Sequence, residues 1–220
     1  MTIVFLLKYT NTLRIIYRME VITLSPETLI EKSKELANAV IESQWTPELV
    51  IGIKTGGLYV AEPLVEELNA KKIQVEYTSI SLSRPSTQKK KDFNIGKVLK
   101  KMPYSILNIL RNFEVFIIEQ TKNTKYDSKK ENDIPKDKQL IDQIKKTERI
   151  LLVDDAIDTG STVLAIKNFI HTINANTEVK IAVLTTTHKE PYVKADFSLF
   201  NRVLLRCPWS EDYKENVTNG

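Results

Sequence analysis

The sequence is nearly without cysteine. Cys207 stands alone among 220 residues, so no disulfide can form within the chain, and a reducing, cytoplasmic setting is expected. Long apolar runs are missing too. None approaches the roughly 20 residues that a membrane-spanning helix needs. A secretory signal is disfavoured on similar grounds: the apolar run at residues 3–7 is followed at once by polar Lys8, Thr10 and Asn11, with no longer apolar core or small-residue cleavage site. Histidine is scarce. His171 and His188 have no evident metal-binding partner, and surface or capping roles are expected for both. Nor is there a strong excess of one charge. A formal net charge of +4 suits small anionic substrates as well as nucleic acid and does not decide between them.

What is present is ample material for a core. The chain is 42% hydrophobic and 27% charged, which argues against whole-chain disorder, and its length fits one domain carrying an insertion. Residues 1–18 read as an N-terminal extension, either an added strand or a segment ahead of a true start at Met19, because residues 21–25 lead directly into a helix signal. Ser25-Pro26-Glu27 supplies a cap, a first-turn proline and a first-turn acid, and apolar residues then recur at helical spacing to about Ser43. The run at 49–53 reads as a buried strand, 58–69 as a helix and 73–82 as a strand. Strands at 149–153 and 178–187 flank a helix at 162–173. Strands alternating with helices predict a mostly parallel α/β sheet, whose ligands gather beyond the carboxyl ends of the strands.

Residues 84–148 interrupt this pattern as a large insertion. It opens with Arg84-Pro85-Ser86 and the basic run Lys89-Lys90-Lys91. Tyr104, Ile106, Leu107, Leu110 and Phe113 predict an amphipathic helix, and 121–138 is polar and charged.

The most informative stretch is residues 150–162. Four apolar residues form a strand buried on both faces, and Asp154 and Asp155 follow at its carboxyl end. Two adjacent acids are costly there unless a cation or hydrogen-bond donors meet them; ribose hydroxyls and Mg²⁺ would do so. Thr159, Gly160, Ser161 and Thr162 then offer hydroxyls, a close backbone approach and the N–H groups of a helix start, the makings of a phosphate cradle. Acids for sugar hydroxyls beside donors for a phosphate point to a sugar phosphate. A nucleotide P-loop would end in Gly-Lys-Ser/Thr, and this loop has no lysine. A receiver domain would place its acidic pair near the domain start.

This run resembles the 5-phosphoribosyl-1-pyrophosphate (PRPP) motif of type I phosphoribosyltransferases: an apolar strand, two acids, a spacer, then Asp-Thr-Gly and small hydroxyl residues. The resemblance implies a parallel sheet flanked by helices, with a small C-terminal hood at 188–213. It implies that Asp154 and Asp155 bind the ribose hydroxyls and, directly or through water, Mg²⁺. Ala156 would belong to the PRPP-binding residues, and Asp158, Thr159, Gly160, Ser161 and Thr162 would hold the 5-phosphate, with Asp158 near the anomeric carbon as the catalytic candidate. Lys54, Thr55, Gly56 and Gly57 are similar to the family's pyrophosphate loop, although Thr55 stands where a basic residue is common.

The C-terminal part is similar to the 6-oxopurine (xanthine–guanine and hypoxanthine) enzymes. Lys189 would contact an exocyclic oxygen of the base. Leu204 and Leu205 would close over the ring ahead of Pro208-Trp209, with Leu204 standing where those enzymes carry a stacking aromatic. The implied reaction transfers a phosphoribosyl group from PRPP to a nucleobase nitrogen, with a 6-oxopurine as first choice of acceptor, and serves nucleotide salvage. The competing class is a non-enzymatic PRPP-responsive binding protein. Nucleic-acid binding through residues 89–101 is a third and weaker reading. The inserted helix is open to use as an enlarged lid, a homo-oligomer contact or a partner patch.

Overall fold

The computed structural model of the chain describes residues 19–82, 98–121, 126, 131, 133–135 and 137–215. The expected N-terminal extension, the Lys89-Lys90-Lys91 run and most of 121–138 lie outside the described residues. In chain order the elements are β1 (Glu20–Thr23), α1 (Pro26–Glu42), β2 (Leu49–Ile53), α2 (Gly56–Ala70), β3 (Glu76–Ile80), α3 (Tyr104–Thr121), α4 (Lys138–Lys146), β4 (Arg149–Ile157), α5 (Ser161–Ile173), β5 (Glu178–Thr186), β6 (Phe197–Asn201) and β7 (Val203–Arg206).

Five strands form one sheet in the order β3-β2-β4-β5-β6, every neighbouring pair parallel. Side-chain alternation sorts its two faces. Leu49, Ile51, Ile150, Leu152, Ile181 and Val183 pack with Ile144 of α4 and Ile166 and Ile170 of α5. Val50, Leu151, Val153, Ala182 and Leu184 pack on the other face with Leu36 and Val40 of α1 and Val60 and Leu64 of α2. Helices on both faces explain why the central strands read as continuous apolar runs. The predicted cap forms: Ser25 Oγ accepts from the Thr28 N–H at 3.2 Å, with Pro26 opening α1. No helix among the described residues is long and apolar enough to cross a membrane.

The sheet order reverses between β2 and β4: the chain steps from β2 outward to β3, then β4, β5 and β6 build the other side. In open parallel sheets a ligand crevice forms outside the carboxyl ends of the strands at such a switch. The loops that leave these two strands are residues 54–57 and 158–160, the two segments singled out from the sequence.

Three elements differ from expectation. β4 does not end at Val153 but runs to Ile157, because β5 keeps pairing beside it through Ala156↔Thr185 and Ile157↔Thr186. The acids therefore sit within a strand. The inserted helix continues to Thr121. The segment read as a hood splits: β6 adds an edge to the main sheet, with Phe197 and Leu199 packed on its core, and β7 pairs parallel with β1 in a separate two-stranded sheet.

Candidate active site

Asp154 and Asp155 sit at the end of the buried part of β4, where the Asp155 N–H donates to Asp154 Oδ1 at 3.0 Å. Burial, then the neighbouring Asp155 charge, pushes the Asp154 carboxyl well above the usual carboxylate range. Burial raises Asp155 as well. Facing them is the start of α2. A Cβ on Gly56 would collide with the Asp155 carboxylate, and one on Gly57 would lie 2.5 Å from the Val153 carbonyl oxygen and 2.8 Å from Asp154 Cα. The glycine pair thus lets the positive end of a helix dipole abut two acids. Lys54 and Thr55, joined by a cis peptide bond, are exposed at the rim of this approach.

Gly160 adopts φ 78°, a left-handed conformation that favours glycine, and serves as the N-cap of α5 without a side-chain cap. Thr159 Oγ1 lies 3.2 Å from Ser161 Oγ and 3.4 Å from the Ser161 N–H, so the two hydroxyls gather over the first turn of the helix. The Ser161 N–H is taken by Thr159, and the next N–H groups of the helix start, those of Thr162 and Val163, are of the kind that meets an anion. Asp158 stands one step before this cradle, and Thr187 Oγ1 from the end of β5 donates to its Oδ1 at 2.5 Å. Thr187 is a residue that the sequence reading missed.

The donor set fits Mg²⁺ only in part. Among the described residues no group of three or more His, Cys, Asp or Glu is placed to hold a metal by itself. Two strained carboxylates suit a hard cation that brings the rest of its oxygen shell with a phosphorylated substrate, which is how Mg²⁺ is commonly held.

Beside Asp155 and Asp158 opens a cavity of about 220 Å³, small for a ligand pocket. Ala156, Thr185, Thr187, Leu204, Leu205 and Ser210 line it together with the two acids. The rest of the lining is the inserted helix, through Arg111, Glu114, Val115 and Ile118. Lys189 is exposed and is not among the lining residues. The structure therefore brings Leu204 and Leu205 to the acidic loop and leaves Lys189 outside.

A polar network holds α3 in place. Arg111 Nε and Nη2 donate to Asp212 at 2.9 and 2.6 Å, and Nη1 donates to the Leu205 carbonyl at 3.0 Å. Arg206, only 1% exposed, donates to Asp212, to Thr23 Oγ1 and to Asn108 Oδ1, with its guanidinium 4.1 Å from the Tyr104 ring centroid. Asn112 bonds both the N–H and the carbonyl of Met19. Burial works to raise the Asp212 carboxyl, but the two guanidiniums outweigh it and hold it at about 2. The helix is thus pinned to β7 and to Asp212. Asn108, Arg111 and Asn112, at spacings of three, four and one, were the available sequence signal: a polar stripe within a helix rich in apolar residues.

The remaining candidates have structural explanations. Trp209 stacks on Tyr59 with centroids 4.8 Å apart. His188 is buried with Nδ1 accepting from the Glu190 N–H, and His171 Nε2 lies 3.2 Å from the Thr177 carbonyl. Burial pushes the Cys207 thiol far up, so it is an inert core residue.

A family model described as a phosphoribosyl transferase domain matches residues 25–211. Among solved structures, a purine phosphoribosyltransferase from Pyrococcus horikoshii Ot3 is 19% identical, with a TM-score of 0.51, covering 92% of this chain and 100% of that one. A Helicobacter pylori xanthine-guanine-hypoxanthine phosphoribosyltransferase is 16% identical, with a TM-score of 0.52, covering 86% and 93%. A hypothetical protein from Neisseria gonorrhoeae with bound ppGpp is 15% identical, with a TM-score of 0.51, covering 87% and 90%. A sequence search of curated proteins gives no match.

Proposed function

We propose that this chain, which belongs to the phosphoribosyl transferase domain family, transfers the phosphoribosyl group of PRPP to a ring nitrogen of a nucleobase of the 6-oxopurine class and releases pyrophosphate. One observation supports this most: the acid pair, the left-handed Gly160 turn and the cavity meet at the sheet's switch point, in the order a ribose, its phosphate and an incoming base require. Of the two phosphoribosyltransferases of like fold, one is described as a purine enzyme and the other as a xanthine-guanine-hypoxanthine enzyme, which supports a purine acceptor. A cytoplasmic setting fits the lone, buried cysteine.

In this reading the ribose hydroxyls donate to Asp154 and Asp155, which relieves the burial and repulsion that raise both carboxyls. Thr159, Ser161, Thr162 and the first-turn N–H groups of α5 hold the 5-phosphate. The exposed Lys54 and the start of α2 face the pyrophosphate. Asp154 and Asp155 would hold Mg²⁺ together with the substrate, and the ion would supply charge neutralisation to the leaving pyrophosphate. Asp158, oriented by the Thr187 hydroxyl, keeps Oδ2 for the reacting centre. There it stabilises positive charge developing on the sugar and accepts the proton released by the base nitrogen.

The test is pyrophosphate release from PRPP and Mg²⁺ with and without guanine, hypoxanthine, xanthine or adenine. Release that depends on an oxopurine is the expected result. PRPP binding with no base-dependent release would place the chain instead with non-enzymatic PRPP-responsive proteins.

A further inference from the structure

The inserted helix contributes two charged side chains to the cavity, Arg111 and Glu114, three residues apart and so on one face of α3. The hydrogen bonds that line the cavity are largely spent. Thr185 Oγ1 donates to the Val203 carbonyl at 2.7 Å, and Thr187 Oγ1 donates to Asp158. Ser210 Oγ accepts from the Cys207 N–H. Arg111 uses three N–H groups on Asp212 and Leu205, which fixes the guanidinium. A guanidinium carries five donors, so two remain. Glu114 is exposed and has no hydrogen-bond or ion-pair partner among the described residues. An ionised carboxylate only accepts, and through two oxygens at once.

The cavity therefore offers a fixed donor and a free double acceptor side by side, between apolar Val115, Ile118 and Leu204. Among oxopurines, the matching edge has a carbonyl oxygen next to a ring N–H and an amino group. Guanine presents that edge. Hypoxanthine lacks the amino group, and xanthine puts an oxygen in its place, against the carboxylate.

We propose that Arg111 and Glu114 read the acceptor's polar edge and select guanine within the 6-oxopurine class: Arg111 donates to the 6-oxo group and Glu114 accepts from N1–H and the 2-amino group. This rests on the function proposed above, and it assigns the specificity to the insertion rather than to Lys189.

The experiment is calorimetric binding of GMP, IMP and XMP to the full chain, with PRPP–Mg²⁺ binding measured separately. Wild type should bind GMP more tightly than IMP by about tenfold or more, the worth of a hydrogen bond to a charged group, with XMP weakest. Glu114→Gln should collapse the GMP/IMP ratio towards one, and Lys189→Met should leave it unchanged. IMP or XMP binding as tightly as GMP, no binding of any of the three, or a ratio unaltered in Glu114→Gln would each overturn the assignment. In those cases PRPP binding in wild type would leave the PRPP reading standing. Its absence would remove that reading and the inference with it.

Discussion

Gly56 opens α2 directly against the carboxylate of Asp155, so close that a methyl group at Gly56 would lie within 3.0 Å of the Asp155 carboxylate atoms. The contact joins the start of α2 to the carboxyl-terminal part of β4 at the switch point of the sheet. It gives the glycine pair a packing role before any ligand is considered.

That role separates the two glycines. At Gly57 an added Cβ meets backbone, the Val153 carbonyl and Asp154 Cα, which can give way only if α2 shifts. Gly57→Ala should cost about 1–3 kcal/mol, as overpacking typically does. At Gly56 the obstacle is the Asp155 side chain, which can rotate away. Gly56→Ala should keep more of the fold's stability while weakening PRPP binding. Thermal denaturation and PRPP calorimetry on the two variants check the split, and equal losses of stability would contradict it.

The raised carboxyls of the acid pair make a prediction of opposite sign to ordinary mutagenesis. A carboxyl whose folded pKa lies above its unfolded value contributes stability that is fully present below the unfolded pKa and is lost as pH rises through the folded pKa. At neutral pH the free protein therefore carries an unfavourable Asp154. Asp154→Asn should raise the melting temperature of the free protein at pH 7, by about 2–4 °C for each kcal/mol relieved. The gain should shrink on acidification. A variant that melts lower at pH 7 would show that the pair is already compensated without ligand.

Asp212 behaves in the reverse sense. Its carboxyl is held at about 2, below its unfolded value, so its contribution is present above the usual carboxylate pKa and is lost as pH falls through the folded one. The loss should run from about pH 4 down to pH 2 and amount to about 2 kcal/mol. Asp212→Ala would strand the buried Arg206 and free Arg111, at a cost of about 3–5 kcal/mol. Acid titration of wild-type stability, compared with Asp212→Asn, checks the assignment: the Asn variant should lose the acid-sensitive component in that window.

Much of this was legible in the sequence because it is local. The Ser25-Pro26 cap, the buried strand at 49–53 and the acid-acid-spacer-Asp-Thr-Gly loop each announce themselves within a dozen residues. What stayed hidden depends on long-range pairing. β4 extends through the acids only because β5 lies beside it, and residues 197–206 divide between two sheets because β1, nearly two hundred residues earlier, takes β7 as its partner. The role of α3 was hidden for the same reason. Its apolar pattern shows a helix, but only the Arg111–Asp212–Arg206 network shows where it docks. Lys189, read from similarity to a strand that ends in lysine, stands exposed and outside the cavity lining.

Thr187 offers a test of Asp158 that leaves Asp158 itself intact. Its hydroxyl donates to Oδ1, which fixes the carboxylate and leaves Oδ2 to the site. Thr187→Val should lower kcat with little change in PRPP affinity, and Asp158→Asn should lower kcat by about a hundredfold or more, the worth of a positioned general base. Both follow from single-turnover rates set beside PRPP binding. Losses carried wholly by PRPP affinity would make Asp158 a binding group and not a catalytic one.

The acid pair of β4 and the turn from β4 into α5 are together proposed to bind PRPP. Calorimetric titration of PRPP with Mg²⁺ into wild type and into the Asp154→Asn/Asp155→Asn double variant tests it directly. Wild type should show saturable binding, and a double variant whose melting curve shows it folded should show none; unchanged PRPP affinity in that folded variant would contradict the assignment.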